Sequence, residues 1–330
     1  MKRTRPILFF ALFLSGLLFV PEAAWSFQEK KEPEVRLMVR FGEKEWNLDL
    51  REIGFDGIDP TTLNQDALMN QIHETIEKEV NRKPRSAYYK DRKVVPHQLG
   101  VKVDRQKIKL WFDEIHDYIN RPVDLPVQWS MPALTTNELL QLKEKELGSY
   151  TTFFNHRNVN RSHNIYLSAK AIDHHVLMPG ETFSFNKVVG IRSRARGYRM
   201  AKVIVKGEYS EGVGGGICQT SSTLFNAVDM AGLEIVERNS HSRRVAYVPK
   251  NRDATVSWGG PDFRFKNSLS KPILIAANVN KGVLTIHIYA PRDARHFPRE
   301  VPDPPGEKES IREEVKEKKR TLDKRAPYDK

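Results

Sequence analysis

The sequence predicts an α+β protein with two mixed domains. Short stretches in which apolar residues alternate are typical of strands, and they lie among longer stretches in which apolar residues recur every three or four positions, as in helices. In the second half of the chain, one glycine-rich loop leads into a helix, and nearly every later segment has a strand pattern. Few helices beside many strands favour an antiparallel sheet with a helix packed on it.

The first predicted domain covers residues 35–147 and begins with a hairpin. Apolar residues alternate over 35–41, and residues 46–50 supply the second strand. Asp59 starts a helix whose apolar residues at 68–80 lie four apart. The remaining predicted elements are an extended stretch at 93–103, a helix after Asp104, a strand at 123–129, and a helix from the capping box Thr135–Glu138 to Leu147, closed by Gly148.

The second predicted domain covers residues 148–291. A helix is predicted over 161–174, and the glycine run at 212–216 leads into a second helix over 218–231. Asn280, Lys281 and Gly282 form a turn between the last two strands. The predicted strands are 182–185, 202–205, 233–236, 243–248, 254–258, 263–265, 273–279 and 283–289.

Both ends of the chain differ in composition from the two domains. Residues 1–26 combine a basic start, an apolar run and a small-residue site, which predicts a signal peptide cleaved after Ser26. An uncleaved membrane anchor is the alternative. Residues 27–34 read as a linker, and the charged, proline-containing residues 292–330 are predicted to be a flexible tail. We therefore expect an extracytoplasmic protein, secreted or associated with the cell wall.

The formal net charge of +12 favours anionic partners. For an exported protein these are peptidoglycan with its anionic polymers, and a peripheral membrane surface is a further option. Export argues against nucleic acid. The single cysteine, Cys218, excludes an intrachain disulfide and a cysteine-based zinc cluster. We expect no metal site and no cofactor, because the histidines also lack the spacing of metal ligands.

The glycine run places Cys218 at the start of a helix. A helix N-terminus stabilises a thiolate through its dipole and free N–H groups, and the same groups can stabilise an oxyanion. His241 is the candidate base, and Asp253 or Asp262 would orient its imidazole. This order of residues along the chain is similar to that of papain-like and transglutaminase-like cores. The residues expected to contact a ligand flank the cysteine: Gly214, Gly215, Gly216, Gln219, Ser221 and Ser222.

Two other interpretations of Cys218 stay open at this point. A lone cysteine is often a small buried apolar residue, and the glycines would then serve only close packing. Alternatively, the cysteine lines a ligand site without taking part in chemistry. The sequence does not decide among these roles.

Seven stretches in the second half of the chain carry a resemblance to a known family: Asn160–Asn164, Pro179–Asn186, Gly212–Asn226, Ala231–Arg238, His241–Ser242, Tyr247–Pro249 and Arg252–Val256. Through them, residues 150–290 resemble the VanW family, named for a protein encoded beside vancomycin-resistance genes. Thr220 departs from the usual pattern, since the family usually has Val at this position of the cysteine motif. Residues 35–147 resemble, more weakly, the peptidoglycan-binding domain that often precedes the VanW domain.

The resemblance implies an exported cell-envelope protein with a role in cell-wall metabolism or in the response to glycopeptides. It implies neither a mechanism nor drug resistance for this chain. Three functions remain: association with peptidoglycan or anionic wall polymers, a thiol-dependent amidase, peptidase or acyl transferase acting on wall peptides, and a non-catalytic scaffold. Whether Cys218 and His241 meet in an open cleft separates the second function from the others.

Overall fold

A computed structural model describes residues 34–205 and 208–323. The predicted signal peptide and most of the predicted linker lie outside the described residues. Within these ranges, no helix combines the length and apolar character that spanning a membrane requires.

The predicted α+β class is confirmed, because helices and antiparallel sheets are both well represented along the chain. The strands are β1 (Arg36–Phe41), β2 (Lys44–Asp49), β3 (Tyr88–Lys90), β4 (Lys93–Val95), β5 (Gly100–Val103), β6 (Pro122–Asp124), β7 (Val127–Ser130), β8 (Lys145–Phe153), β9 (His175–Leu177), β10 (Thr182–Ser184), β11 (Met200–Val205), β12 (Glu208–Val213), β13 (Glu234–Glu237), β14 (Arg264–Lys266), β15 (Ile273–Asn280) and β16 (Val283–Ala290).

The helices are fewer than the strands, and short 3-10 turns supplement them at four places in the described residues. A π-helical turn over His73–Glu77 joins the first two helices into the single helix that the sequence predicts. The α-helices are α1 (Gln65–Ile72), α2 (Lys78–Val80), α3 (Arg105–Asp113), α4 (Thr136–Gln141), α5 (Val159–Ile172), α6 (Phe185–Val189), α7 (Ile217–Met230) and α8 (Glu307–Asp323).

The chain forms two compact units whose limits differ from the predicted domains. One comprises the described residues up to Ile76 together with Arg105–Pro126, and the other comprises Glu77–Asp104 and the described residues from Val127 onward. In the first unit, β1 lies between β2, which is antiparallel to it, and β6, which is parallel. The alternating residues of β1 and the apolar face of α1 are buried, as their spacing predicts.

The second unit is built on a four-stranded antiparallel sheet in the order β8-β16-β15-β9. Helices α5 and α7 pack on this sheet, and their apolar residues join those of the strands in one core. Two further sheets lie in the same unit, β10-β14-β13 and the β11–β12 hairpin. The predicted arrangement of an antiparallel sheet with a packed helix after a glycine loop is present here.

The prediction that the last helix of the first domain runs to Leu147 is wrong. The capping box at Thr135 forms, but α4 ends at Gln141 and the chain continues as strand β8. Gly148 does not close a helix. A Cβ atom at this position would lie 2.7 Å from the backbone O of Ala227 and N of Ala231, so the missing side chain lets β8 approach α7 closely.

Two predicted strands, 243–248 and 254–258, are also wrong, because this part of the chain is irregular. At residues 252–254 its backbone is paired with side chains of α7 in place of a neighbouring strand. Ser221 Oγ donates to the carbonyl of Ala254 (2.6 Å), and Asn226 Nδ2 donates to that of Arg252 (2.8 Å). The apolar residues that alternate here still face the core, which is why the sequence looks like a strand: Val245 and Tyr247 in the first segment, and Ala254 and Val256 in the second.

The predicted flexible tail packs on the second unit through residue 306 and continues as α8. Polar contacts anchor it: Arg299 forms an ion pair with Asp229 (2.8 Å), and the carbonyl of Pro302 accepts from the Tyr150 hydroxyl (2.9 Å). In addition, Ala294 is buried in the core and Val301 packs against it. These contacts explain how a segment with few apolar residues acquires a defined path, which its composition alone does not indicate.

Candidate active site

The glycine run forms a tight loop that leads directly into α7. Gly214 and Gly216 adopt φ angles of +89° and +105°, which favour glycine, and Gly216 is the N-cap of the helix. A Cβ at Gly215 would lie 2.5 Å from the carbonyl oxygen of Lys202, so the loop packs against the backbone of β11. The result is that Cys218 occupies the second position of a 14-residue helix.

The sulfur of Cys218 lies between polar atoms of an irregular segment that crosses the start of α7. Its Sγ is 3.6 Å from the carbonyl oxygen of Val256 and 3.8 Å from the hydroxyl of Thr255. The residue is partly exposed and lines a cavity, so it is not a sealed core residue. These contacts argue against a purely apolar packing role.

His241 lines the same cavity and is held by Asp253. The backbone N–H and the ring Nδ1 of His241 each lie 2.6 Å from Oδ2 of Asp253. Because an ionised carboxylate only accepts hydrogen bonds, Nδ1 carries the proton and Nε2 is left for the cysteine. Both side chains are nearly buried, so the pair has little competition from water.

Cys218, His241 and Asp253 shift one another's pKa values. Burial alone would raise the pKa of the Cys218 thiol, but a hydrogen bond from His241 and its charge outweigh burial and lower it. Burial alone would lower the pKa of His241, whereas its bonds to Asp253 and Cys218 raise it to about 9. The pKa of Asp253 is lowered because His241 outweighs its burial. The three shifts have directions that favour a thiolate beside an imidazolium over the neutral pair.

A hydrogen-bond donor for an oxyanion lies at the helix start. The N–H groups of Ile217 and Gln219 donate to the carbonyls of Gly214 and Gly216, respectively. Among the described residues, no acceptor is found for the N–H of Cys218. This group points from the first turn of α7, where the helix dipole favours negative charge.

The amide of Gln219, which was expected to contact a ligand, is paired within the protein instead. It is completely buried, its Nε2 donates to Thr152 Oγ1 and to the Phe153 carbonyl, and its Oε1 accepts from Arg161 (2.6 Å). Both ends of the amide are therefore used within the fold, and Gln219 fixes α7 to β8.

Ser221 and Ser222 were also expected to contact a ligand, but, unlike Gln219, they are not among the residues that line the cavity. Both are completely buried. The Ser221 hydroxyl donates to the carbonyl of Ala254, and the Ser222 hydroxyl donates to that of Cys218 and accepts from the Ala254 N–H. They hold the segment that carries Asp253 against the helix that carries Cys218, so they position the site without reaching the cavity.

Of the two candidate acids, the structure brings only Asp253 to the imidazole. Asp262 accepts hydrogen bonds from the Ser184 hydroxyl and from the backbone N–H groups of Asn186 and Phe263. It therefore ties β10 and α6 to the segment before β14. Gly214, Gly215 and Gly216 do line the cavity with the cysteine.

Three features of the site escaped the sequence. Arg238 donates to the backbone carbonyls of Asp253 and Asn251, and it supports the acid from outside. Arg192 lines the cavity. The hydroxyl of Thr220, the position that departs from the family pattern, is paired with that of Ser168 in the interior (2.7 Å). In the sequence, the run of Ser, Thr and Asn along α7 is the one signal that indicates hydrogen bonds between side chains in the interior.

The cavity has a volume of about 860 Å³, enough for a peptide fragment or a comparable ligand. The β11–β12 hairpin forms one wall, and the irregular segment 245–258 forms another. Its charged lining residues are mainly basic, with Arg161, Arg192 and Lys202 against Glu211. The largely exposed Trp258 lies at its edge.

Together these observations define an α+β protein with a Cys–His–Asp constellation at the N-terminus of a sheet-packed helix. The sequence model of the VanW like protein family matches residues 160–289, a range that contains all three residues. The chain belongs to this family.

The relatives found by sequence support that assignment. "Uncharacterized protein YoaR" of Bacillus subtilis is 48% identical over 232 residues, which cover 70% of this chain and 77% of that protein. "Vancomycin B-type resistance protein VanW" of Enterococcus faecalis is 32% identical over 113 residues, 33% of this chain and 41% of that protein. No solved structure matches the chain. The peptidoglycan-binding character of residues 35–147 stays a prediction.

Proposed function

We propose that this protein is a thiol-dependent enzyme that cleaves or transfers amide bonds of cell-wall peptides outside the cytoplasm. The observation that carries the proposal is the placement of the His241 imidazole between Cys218 and Asp253 in one open cavity. A nucleophile, a base and a group that orients the base are the parts that acyl transfer requires.

The steps follow from the positions of these residues. The Cys218 thiolate attacks an amide carbonyl carbon, a C–S bond forms, and the oxyanion lies by the Cys218 N–H. When the C–N bond breaks, the imidazolium of His241 gives its Nε2 proton to the leaving amine. The resulting imidazole takes a proton from water, and the hydroxide attacks the thioester and releases a carboxylic acid and the thiolate. If an amine attacks in place of water, the product is a new amide.

Three properties support a cell-wall peptide as substrate. Residues 1–26 have the composition of a signal peptide, which would place the mature chain outside the membrane. The net charge of +12 favours anionic surroundings such as wall polymers. One relative is named as a vancomycin B-type resistance protein. We infer that the basic chain also associates with peptidoglycan or its anionic polymers, which would keep the enzyme near its substrate.

The test uses the full mature chain and defined wall fragments, with each product identified by mass. We expect a mass change that corresponds to hydrolysis of one amide, or to transfer when an amine acceptor is supplied. Cys218→Ser and His241→Ala should abolish turnover while their far-UV spectra and melting curves stay close to those of the parent. Turnover that persists in Cys218→Ser would rule out the proposed chemistry. Binding without any mass change would favour a non-catalytic wall-binding protein.

A further inference from the structure

Arg192 is a half-buried residue whose two terminal guanidinium nitrogens have no hydrogen-bond partner in the part of the chain that the structure describes. Its two terminal guanidinium nitrogens have almost no solvent-accessible surface, and no acceptor within the described ranges lies in hydrogen-bond distance of either. The residue lines the same cavity as Cys218 and His241. Buried charged groups normally have partners, because an unpaired one loses hydration without compensation.

The surrounding residues hold this guanidinium in place without neutralising it. Its stem packs so close to Gly214 that a Cβ there would lie 3.1 Å from the Arg192 Cβ, and its guanidinium lies 5.7 Å above the Phe185 ring. Asp262 attracts it at longer range, but the carboxylate of Asp262 is already occupied by Ser184 and by backbone N–H groups. The cation is therefore packed in place, and the N–H donors of its two terminal nitrogens are left without acceptors among the described residues.

The chemistry of the group identifies what it would bind. A guanidinium presents a planar fork of N–H donors that matches the two oxygens of a carboxylate. Burial lowers the pKa of Arg192, whereas the nearby acidic groups of Tyr198 and Cys218 act in the opposite direction. An anionic ligand would supply the acceptors that the protein omits.

We propose that Arg192 binds a carboxylate of the substrate and thereby selects wall peptides that carry a free carboxylate close to the attacked amide. That an amide is attacked beside this carboxylate rests on the proposed function, whereas the binding of a carboxylate by Arg192 does not. Arg192 is thus a residue that determines specificity, and it does not take part in bond breaking.

Two alkylating reagents test the anion site without any substrate. Iodoacetate and iodoacetamide both transfer a CH₂ group to a thiolate with loss of iodide, and they differ in that the first carries a carboxylate. Small thiols react more slowly with iodoacetate because of charge repulsion. We expect the ratio of iodoacetate to iodoacetamide rates at Cys218 to exceed that of glutathione at least tenfold. In Arg192→Met, which keeps the unbranched stem, the ratio should fall back by about the same factor.

Arg194→Met is the matched control, since Arg194 lies two residues away, is exposed and does not line the cavity. Its ratio should equal that of the parent. Melting curves of all three proteins show whether Arg192→Met is folded, and Arg192→Lys provides a second variant that retains the charge without the fork. The proposal is overturned if Cys218 of the parent shows the same rate ratio as glutathione, or if Arg192→Met has the same ratio as the parent.

A second measurement separates this proposal from the enzymatic one. Acetylated dipeptides with a free C-terminal carboxylate, a free side-chain carboxylate, or both groups amidated are titrated calorimetrically into Cys218→Ala protein. If one of the carboxylate peptides binds more tightly than the amidated one, and the double variant Cys218→Ala, Arg192→Met loses this preference, the anion site is supported. This holds even if the native protein proves inert as an enzyme. Equal binding of all three peptides contradicts it.

Discussion

Oδ2 of Asp253 accepts two hydrogen bonds from His241, one from the backbone N–H and one from the ring, both at 2.6 Å. The double contact fixes the position of the chain at residue 241 as well as the tautomer of its ring. Arg238 in turn donates to the Asp253 carbonyl (2.7 Å). The Asp253 carboxylate therefore orients the His241 imidazole toward Cys218. Substitution of Asp253 tests this role directly.

Asp253→Asn should weaken the nucleophile while retaining the shape of the site. The amide cannot stabilise an imidazolium, so the pKa of His241 should fall and the pKa of Cys218 should rise. A rise of one pKa unit lowers the thiolate fraction about tenfold. We expect iodoacetamide to react about tenfold more slowly at pH 6.5, and turnover of a wall peptide to fall on the order of a hundredfold.

Asp262→Asn is the matched control for this experiment, since Asp262 was the other candidate acid. It should leave the alkylation rate unchanged. Because it removes charged acceptors from Ser184 and Asn186, it should lower the free energy of unfolding by about 1–3 kcal/mol. Equal effects of the two variants on alkylation would contradict the role given to Asp253.

The pH dependence of the two reactions should differ. A lowered thiol pKa means that Cys218 is alkylated below the pH range of an ordinary cysteine, and the rate should remain high as the pH rises further. Turnover also needs the proton on His241, whose pKa is raised to about 9. Turnover should therefore fall as the pH passes through about 9, whereas alkylation should not.

Stopped-flow alkylation and peptide turnover, measured from pH 5 to 10 on the same protein, give the two profiles. NMR titration of the His241 ring supplies the assignment, and in Cys218→Ala its pKa should be lower than in the parent because one of its supports is missing. Profiles that coincide on the alkaline side would show that His241 is not the proton donor.

Much of the second unit could be predicted from sequence patterns, because its strands and helices carry their own periodicity. The α7 helix, for example, was placed within a residue of its observed limits. The strand at 254–258 failed, since apolar alternation reports which side chains are buried and does not report what pairs the backbone. Here Ser221, Ser222 and Asn226 of α7 take the place of a neighbouring strand.

The site shows the same division between local and long-range information. Cys218 and His241 could be proposed because the sequence shows a glycine loop that leads to the single cysteine and, further on, a histidine before a predicted strand. The choice between Asp253 and Asp262 could not be made, because it depends on which carboxylate the fold turns toward the imidazole. Arg192 gave no signal at all, since an arginine without a partner is recognised only when its surroundings are known.

The glycine loop should not tolerate a side chain at Gly215. A Cβ there would lie 2.5 Å from the Lys202 carbonyl oxygen and 2.6 Å from the Ala201 carbonyl carbon, and backbone atoms cannot move as a side chain can. We expect Gly215→Ala to lower the free energy of unfolding by about 1–3 kcal/mol, as overpacking does. Gly306→Ala is the control, because no atom lies within 4 Å of a Cβ at that position. Denaturant titration measures both, and equal midpoints would contradict the close packing of this loop on β11.

The basic chain should bind isolated peptidoglycan sacculi in a salt-dependent manner. The formal net charge is +12, and the attraction between exposed charges weakens as the screening length shortens from about 10 Å at 0.1 M salt to about 3 Å at 1 M. Full mature protein, inactivated by Cys218→Ala so that the wall is not altered, should pellet with sacculi at low salt and be released as salt rises.

Sacculi stripped of anionic polymers separate the two ligands: retained binding indicates peptidoglycan itself, and lost binding indicates the polymers. Protein that stays in the supernatant at low salt, with both kinds of sacculi in excess, would show that the positive charge serves another purpose.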